Sequence, residues 1–571
     1  MSVSSLPFLH GALAAVLPKL AAWRRDFHAH PEAGWTEFRT AALIIRRLRE
    51  LGYAIRMGEA ACASDRRMGV PSSAVLAAAR ERALEHGADA ELVAGMGDGY
   101  TGFWADLDCG PGPVTAFRFD MDCNEVAECA EESHRPMREG FASRWPGLMH
   151  ACGHDGHAAV GLGLAEVLVS IRRHLRGRIR LIFQPAEEGA RGALPMSEAG
   201  AVDGVDVLFG FHIGFKAEGP GTLICGTQGF LATTKRDVLF SGVPAHAGAA
   251  PEEGKDALLA ACSAVVNLHA ISRNGKGGTR IAVGRLEGGE ARNVIPASAR
   301  LFMETRGETT ELDAYMTAES ERILRASADL WGCACEWRTV GNSAGGGSSP
   351  ELARLIATVA EAMGGWKTVI PMSGFGATED FACLMSRVQA SGGLASYLQV
   401  GTDRAAGHHS DRFDFDETCL GRALELLARL AVRMAGGGQE DTETETESDM
   451  EFLDEVVRRK GIHVQLWLEG EDGEGFGRGR VELLQLVDEL GSLSKAAKQL
   501  GMSYRGAWGK IKKAERIAGE TLVDASGTKR DGYSLTPAGR ELVQRFQQWY
   551  ADVESFAKKR AEALFSDFDK E

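Results

Sequence analysis

The 571-residue chain has no run of about 18 apolar residues, so it offers no segment able to cross a bilayer as a helix. Its N-terminus, MSVSSLPFLHGALAAVLPKL, lacks a basic head, and Pro, His and Lys interrupt the apolar stretch. That pattern predicts an amphipathic first helix, not a signal peptide. No cysteine lies beyond Cys419, and the 11 present are odd in number and scattered. A disulfide framework is therefore not expected, and a reducing cytoplasm is. An excess of positive charge is also missing: 64 Lys+Arg stand against 79 Asp+Glu. Residues 450–571 hold 20 basic and 21 acidic side chains, so the rest carries 44 against 58. That larger part is not expected to bind nucleic acid or anionic membrane nonspecifically. No internal repeat of short period is found.

What is present is an ordinary globular composition, 44% apolar and 25% charged. The length exceeds one hydrophobic core and predicts three or four domains at roughly 100–200 residues each. GGGQEDTETETESDME, residues 436–451, is Gly-rich, then acidic and without apolar periodicity, so it reads as a solvated linker. Before it, strands at 114–122, 179–184 and 205–212 alternate with helical stretches such as 158–175. The expected fold is α/β: a mostly parallel sheet covered by helices, built from 1–225 and 343–435. Between them, 226–342 changes rhythm to strand, helix (255–271), two strands, helix (310–331). It is expected to be an inserted α+β domain. Residues 452–571 form a separate C-terminal domain.

The segment MHACGHDGH (149–157) places Cys152 and His154 two apart, so both can point at one locus. Thiolate and imidazole suit zinc and related divalent ions. Alone, the pair reads equally well as a buried thiol beside a helix-capping histidine. FQPAEEGARG (183–192) puts adjacent carboxylates, Glu187 and Glu188, at a strand end. One could bind metal while the other holds a proton, a division suited to metal-assisted hydrolysis. Alone, two glutamates are usually a solvated loop. His212 in GFHIG and the pair His408–His409 in AGHHSDRFDFDE add candidates. Cys152, His154, Glu188, His212 and His409 make five; with a bridging thiolate, two metals would receive three protein ligands each.

These segments, with RRDFHAHPEAGWTEFRT (24–40), FDMD, SGVPAHAG and ARNVIPASA, resemble in order the dinuclear metallopeptidase and amidohydrolase family. That family includes aminoacylases, hippurate hydrolase, auxin-conjugate hydrolases and carboxypeptidase G. The likeness covers about residues 20–435. ASDRRMGVPSS (63–73) and the ending GHH…FDFDE resemble the subgroup of large aminobenzoyl-glutamate hydrolase subunits. The resemblance implies hydrolysis of an N-acyl or N-aroyl amino acid with two divalent metal ions, manganese or zinc. It implies Cys152, His154, Glu188, His212 and His409 as ligands, Glu187 as general base and Asp122 as a carboxylate that orients a ligand. His408 is the ambiguous neighbour of His409, and Asp411 stands where similar proteins have Pro. In the insertion, a lid and dimerisation domain by likeness, His246 is expected to stabilise the oxyanion across a dimer interface. Asn293 and Arg306 are expected to hold the substrate carboxylate. By themselves those two could be a turn cap and a surface cation. A homodimer is implied, or a heteromer with a related chain.

From Arg480 onward, VELLQLVDELGSLSKAAKQLGMSYRGAWGKIKKAERIAGETLV reads as helix, tight turn, helix. A generic helical hairpin would give the same pattern, so charge discriminates. Residues 478–530 hold 11 Lys+Arg against 6 Asp+Glu inside an acidic protein, as a phosphate-binding face requires. Tyr504, Arg505 and Lys510 fall on the second helix, expected in the major groove. Residues 525–536 read as a wing with Lys529 and Arg530 at its tip, and a long helix from Pro537 to about Phe565 as a dimerisation helix. The segment resembles the winged helix-turn-helix of the molybdate-responsive regulator, itself related to LysR-type domains. Its wing is less Gly-rich than usual and no molybdate-binding segment follows, so molybdate sensing is not expected. Two functions are open from sequence: an amidohydrolase fused to a DNA-binding module, or a transcription regulator whose hydrolase-like part senses an acyl-amino acid.

Overall fold

The structure, a computed structural model, describes residues 6–435, 467–469, 475–500, 502, 504–524 and 533–565. The expected linker at 436–451 lies outside these residues. The chain divides into two compact units, Met1–Val457 and Arg458–Glu571. Among the described residues no helix is long and apolar enough to cross a membrane. The N-terminal segment forms a helix, Pro7–Ala29, that buries Leu9, Leu13, Val16, Leu20 and Phe27 along one side.

The strands of the first unit are β1 (Ala54–Met57), β2 (Phe103–Asp108), β3 (Val114–Asp120), β4 (Arg178–Gln184), β5 (Val207–Glu218), β6 (Thr222–Ile224), β7 (Thr227–Phe230), β8 (Ala232–Ser241), β9 (Thr279–Gly288), β10 (Ser298–Gly307), β11 (Ala334–Ser343), β12 (Gly346–Gly347), β13 (Thr368–Ile370), β14 (Ser373–Gly374) and β15 (Leu394–Thr402). Eight of them make the main sheet in the order β1-β2-β4-β3-β5-β15-β6-β13. Four of its seven pairings are parallel: β4–β3, β3–β5, β5–β15 and β6–β13. The sheet is thus mixed, with antiparallel pairings at β1–β2, β2–β4 and β15–β6.

Both faces of this sheet are covered, which is why its strands read as continuous apolar runs. Phe117, Phe119, Leu181, Phe183, Phe209 and Phe211 pack on one side against helices Pro7–Ala29, His154–Ser170 and Thr418–Ala435. Ala116, Ile182 and Leu208 face the other, against Trp35, Phe381 and Tyr397. The helix His154–Ser170 lies close on the sheet at Gly161, where a Cβ would stand 2.8 Å from the Phe119 and Phe183 rings. It begins four residues earlier than the apolar pattern predicts and stops at Ser170; Arg172–His174 is a separate 3-10 turn. β5 also runs past His212 to Glu218, because β15 continues alongside it, with Gln399 opposite His212.

The insertion is a four-stranded antiparallel sheet, β11-β8-β10-β9, with helices Ala257–His269 and Thr310–Leu330 on one face. Phe240, Leu301, Met303 and Leu324 are buried between sheet and helices. β7 belongs instead to a small sheet with β12 and β14, so the regular insertion starts at β8. Its closing strand, β11, has no counterpart among the sequence expectations, although Cys335 and Trp337 alternate with Glu336 and Arg338 as a half-exposed strand requires.

The second unit has its own core, including Val481, Leu484, Val487, Leu493, Ala496, Ala497, Ala507, Ile511 and Phe546. Helices Arg478–Leu490, Leu493–Gln499 and Tyr504–Ala518 follow in turn, with Ser492 capping the second through the Lys495 amide. The small Ala496 and Ala497 let the helices approach. Val523–Asp524 and Ser534–Leu535 pair antiparallel at the base of the expected wing, and Pro537–Phe565 is a 29-residue helix. A further short hairpin, Trp467–Glu469 with Gly475–Gly477, has no counterpart among the sequence expectations.

Candidate metal centre

The centre is assembled at the ends of β3 and β4, beside the middle of β5. After β3 the chain places Asp122 so that its carboxylate accepts the Glu187 amide at 3.0 Å and the Glu188 amide at 2.9 Å. Its backbone carbonyl accepts His154 Nδ1 at 2.9 Å. One buried residue therefore sets the glutamate loop and the ring of His154. With Nδ1 donating, His154 turns Nε2 inward, and that nitrogen is buried without a hydrogen-bond partner. Glu188 Oε1 is likewise buried without one. His409 Nε2 lies 3.1 Å from that oxygen, although no aligned hydrogen bond joins them.

His212 donates Nδ1 to the Ile213 carbonyl at 2.9 Å, which points Nε2 at the Cys152 sulfur, 3.4 Å away. His157, which no sequence argument singled out, braces this side: its Nδ1 donates to Asp120 at 2.5 Å and its Nε2 accepts the Ile213 amide at 3.0 Å. Ligating atoms of Cys152, Glu188 and His409 converge within 4.8 Å, as do those of His154, Glu187 and Glu188. Cys152, His212 and His408 form a third such group. The His408 ring, however, has both nitrogens engaged, with Arg404 at 2.8 Å and with the Ile213 carbonyl at 3.2 Å. That favours its neighbour, whose left-handed backbone (φ 65°) and amide bond to Ala151 turn it into the cluster.

The electrostatics suit a cation. Burial pushes the Cys152 thiol well above its ordinary value, so within the chain alone it keeps its proton. Burial, then the neighbouring His157, hold the His212 ring neutral with a free lone pair. Burial opposes ionisation of Glu188 as well, yet His409 and His154 outweigh it and bring the carboxyl down to about 2. Glu187 goes the other way: burial and then the Glu379 carboxylate push it well above the usual range. The partnerless His154 Nε2 and Glu188 Oε1, the Cys152 sulfur, the neutral His212 ring and His409 beside them form a donor set that fits divalent metal.

Glu379 and Asp380 were missed in the sequence, although ATEDFA shows the same adjacent carboxylates as the glutamate loop. Arg118 reaches Asp120, Glu379 and Asp380 at 2.5, 3.1 and 3.2 Å, and Tyr397 donates to Glu379 at 2.6 Å. Glu37 was missed too. It accepts the Ala186 amide at 2.8 Å and the Thr101 hydroxyl at 2.6 Å, and burial with nearby Asp122 pushes it up to about 8.

In the insertion, His246 is exposed and its Nδ1 accepts the Gly248 and Ala249 amides at 3.1 and 3.0 Å. Asn293 is exposed, with its carbonyl accepting the Ala247 amide at 3.0 Å. Arg306 is half-buried and paired to Glu304 at 2.8 Å. Among the described residues, none of the three bonds to the ligand cluster of its own chain. In the second unit Tyr504 and Lys510 are exposed, and the Tyr504 hydroxyl meets that of Tyr533 at 2.8 Å. The Arg505 side chain, Lys529 and Arg530 lie outside the described residues.

Residues 116–433 match the family described as Peptidase family M20/M25/M40. Residues 479–540 match the bacterial regulatory helix-turn-helix proteins of the lysR family. The chain is 46% identical over 420 residues to a p-aminobenzoyl-glutamate hydrolase subunit of Escherichia coli K12, covering 73% of this chain and 96% of the other. It is 44% identical over 429 residues to indole-3-acetyl-aspartic acid hydrolase of Enterobacter agglomerans, covering 75% and 98%. The crystal structure of an aminobenzoyl-glutamate utilization protein from Klebsiella pneumoniae aligns with a TM-score of 0.65 at 40% identity, over 74% of this chain and 98% of that one.

Proposed function

The chain belongs to peptidase family M20/M25/M40, and from that membership we propose that it hydrolyses the amide bond of N-acyl or N-aroyl derivatives of acidic amino acids. The observation that carries this is the convergence of Cys152, Glu188 and His409, and of His154, Glu187 and Glu188, each within 4.8 Å. The relatives named above supply the substrate class: both are named for amides of a dicarboxylic amino acid.

Cys152, His154, Glu188, His212 and His409 would hold two divalent ions, manganese or zinc. Bound there, the ions supply Lewis acidity and make a water easier to deprotonate at neutral pH. Glu187 takes the proton of the attacking water on a carboxylate oxygen and returns it to the leaving nitrogen. Its raised proton affinity, set by burial and Glu379, suits a group that must hold a proton between those steps. Asp122 keeps Glu187 and Glu188 in register through their amides, so base and ligand stay in different directions. His246, exposed on the insertion, would reach the oxyanion in a second copy of the chain, and Asn293 with Arg306 would hold the α-carboxylate. This makes the active protein a dimer of identical chains or a heteromer, the latter in keeping with a relative named as one subunit of a hydrolase.

The C-terminal unit would bind duplex DNA, with Tyr504, Arg505 and Lys510 at the major groove and Lys529 and Arg530 on the wing. Its match to lysR-family helix-turn-helix proteins supports this, and DNA binding would give the hydrolase a regulatory connection. All 11 cysteines are free, which favours a cytoplasmic setting. The deciding experiment is hydrolysis by metal-reconstituted full-length protein of a panel containing aminobenzoyl-glutamate, indole-3-acetyl-aspartate and neutral N-acyl amino acids. Failure on every member would refute the hydrolase reading.

A further inference from the structure

An amide of glutamate or aspartate carries two carboxylates, and Arg306 with Asn293 accounts for one. The structure places one more cation, Lys235, by the catalytic loop, with no ion-pair partner among the described residues. Along β8 the side chains alternate: Val238 and Phe240 are buried under the insertion's helices, while Lys235 and Asp237 lie on the other face. On that face Asp237 is paired to Arg338 at 2.9 Å and Arg306 to Glu304 at 2.8 Å. Lys235 sits directly across from Glu304 in register, yet among the described residues no carboxylate lies within 4.0 Å of its ammonium.

Where the Lys235 side chain goes is decided by β11. It runs over Gly341, its Cδ 3.2 Å from where a Cβ at that position would stand. The same Cβ would fall 2.2 Å from the Gly189 carbonyl, one residue beyond Glu188. Only glycine at 341 lets the inserted sheet come this close to the catalytic loop, and the Asn342 amide seals the approach on the Ala190 carbonyl at 2.8 Å. Arg191, the other cation here, directs its donors to the Glu188 and Gly69 carbonyls, at 2.9 and 3.1 Å.

We propose that Lys235 is the specificity residue for the side-chain carboxylate of a dicarboxylic amino-acid amide, presented by the inserted sheet to the active site of its own chain. This rests on the amidohydrolase reading and adds to it the reason acidic amino acids are preferred. A flexible ammonium on a rigid strand recognises a carboxylate as a point charge, without the two-pronged geometry that arginine imposes.

The test is steady-state kinetics of metal-reconstituted full-length protein on N-aminobenzoyl-glutamate and N-aminobenzoyl-glutamine, which differ only in the charge of the side chain. Lys235→Met is expected to lower kcat/KM for the glutamate amide about ten- to hundredfold, mostly through KM, and to leave the glutamine amide unchanged. Lys235→Arg should keep most of the preference, and Lys235→Glu should invert it. Equal losses on both substrates, or no change on either, would overturn the assignment while leaving the hydrolase reading intact. Absence of hydrolysis of both substrates by the unaltered protein would overturn both. Thermal melts of each variant, expected to match the parent, exclude misfolding as the cause.

Discussion

Asp122 holds Glu188 through the peptide amide, at 2.9 Å, and leaves the Glu188 carboxylate free to point at His409. The same carboxylate takes the Glu187 amide, so one buried acid orients both members of the pair. Asp122→Ala should therefore loosen the loop without removing a ligand. Metal affinity is expected to fall about 10–100-fold, the usual cost of losing such a support. Metal titration with a competing chelator measures it; unchanged affinity would mean the loop is held elsewhere.

Glu187 and Cys152 should separate chemistry from metal binding. Glu187→Gln is expected to retain metal and lose about 10²–10⁴-fold in kcat, the typical contribution of a general base. Cys152→Ala should lose metal as well as activity. Metal content by elemental analysis, measured beside kcat, decides between them. Full activity in Glu187→Gln would falsify the role assigned to it.

Arg306 and Lys235 should divide the two carboxylates. Arg306→Ala should cut kcat/KM by about tenfold or more on any substrate with a free α-carboxylate, since an ionic hydrogen bond is lost. An uncharged anilide should be hydrolysed as before. Equal losses on acid and anilide would remove Arg306 from substrate recognition.

Arg24 is buried and pairs with Asp155 at 2.8 Å and Asp414 at 2.9 Å. Arg24→Met removes one buried partner from each carboxylate, leaving Asp155 with His28 and Asp414 with Arg135, and should destabilise the first unit by up to about 3–5 kcal/mol. The pH dependence has a definite sign. Burial raises the Asp414 carboxyl, but Arg135 and Arg24 outweigh it and hold it below its ordinary 3.8. A depressed folded-state value means stability present above that ordinary value and lost as pH falls through the folded one. The gap between parent and variant should thus be widest at neutral pH and narrow below about pH 4. Urea melts at pH 7 and about pH 3 test this; a gap that widens in acid would exclude the charge explanation.

The tail should bind DNA by itself, since its core draws only on its own residues. Fragment 450–571 is expected to shift duplex DNA with an affinity that falls steeply with salt, because bound phosphates release counterions. Lys529→Ala combined with Arg530→Ala should weaken binding to all sequences and flatten the salt slope. Changes at Arg505 should alter sequence preference. Selection of genomic fragments with the purified tail reads out both. Weak, salt-insensitive association with no enriched sequence would leave a dimerisation appendage.

The sequence by itself determined the parts whose signal is local. MHACGHDGH and FQPAEEG marked a metal-type donor set because ligand identity and spacing are written in consecutive residues. The alternation of strands and helices and the basic helix-turn-helix were legible for the same reason: periodicity and charge need no tertiary partner. What only the tertiary structure decided depends on residues far apart in the chain. His408 and His409 are indistinguishable in AGHHS until Arg404 and the Ile213 carbonyl occupy the first of them. Asp120, His157 and Ile213 brace His212 only once β3, the helix at His154 and β5 lie side by side. Burial and then, across almost two hundred residues of chain, the Glu379 carboxylate raise Glu187. Lys235 is one lysine among many until Gly341 lets its strand meet the catalytic loop. Burial and through-space charge set proton affinities and free lone pairs, and neither exists before the chain has folded.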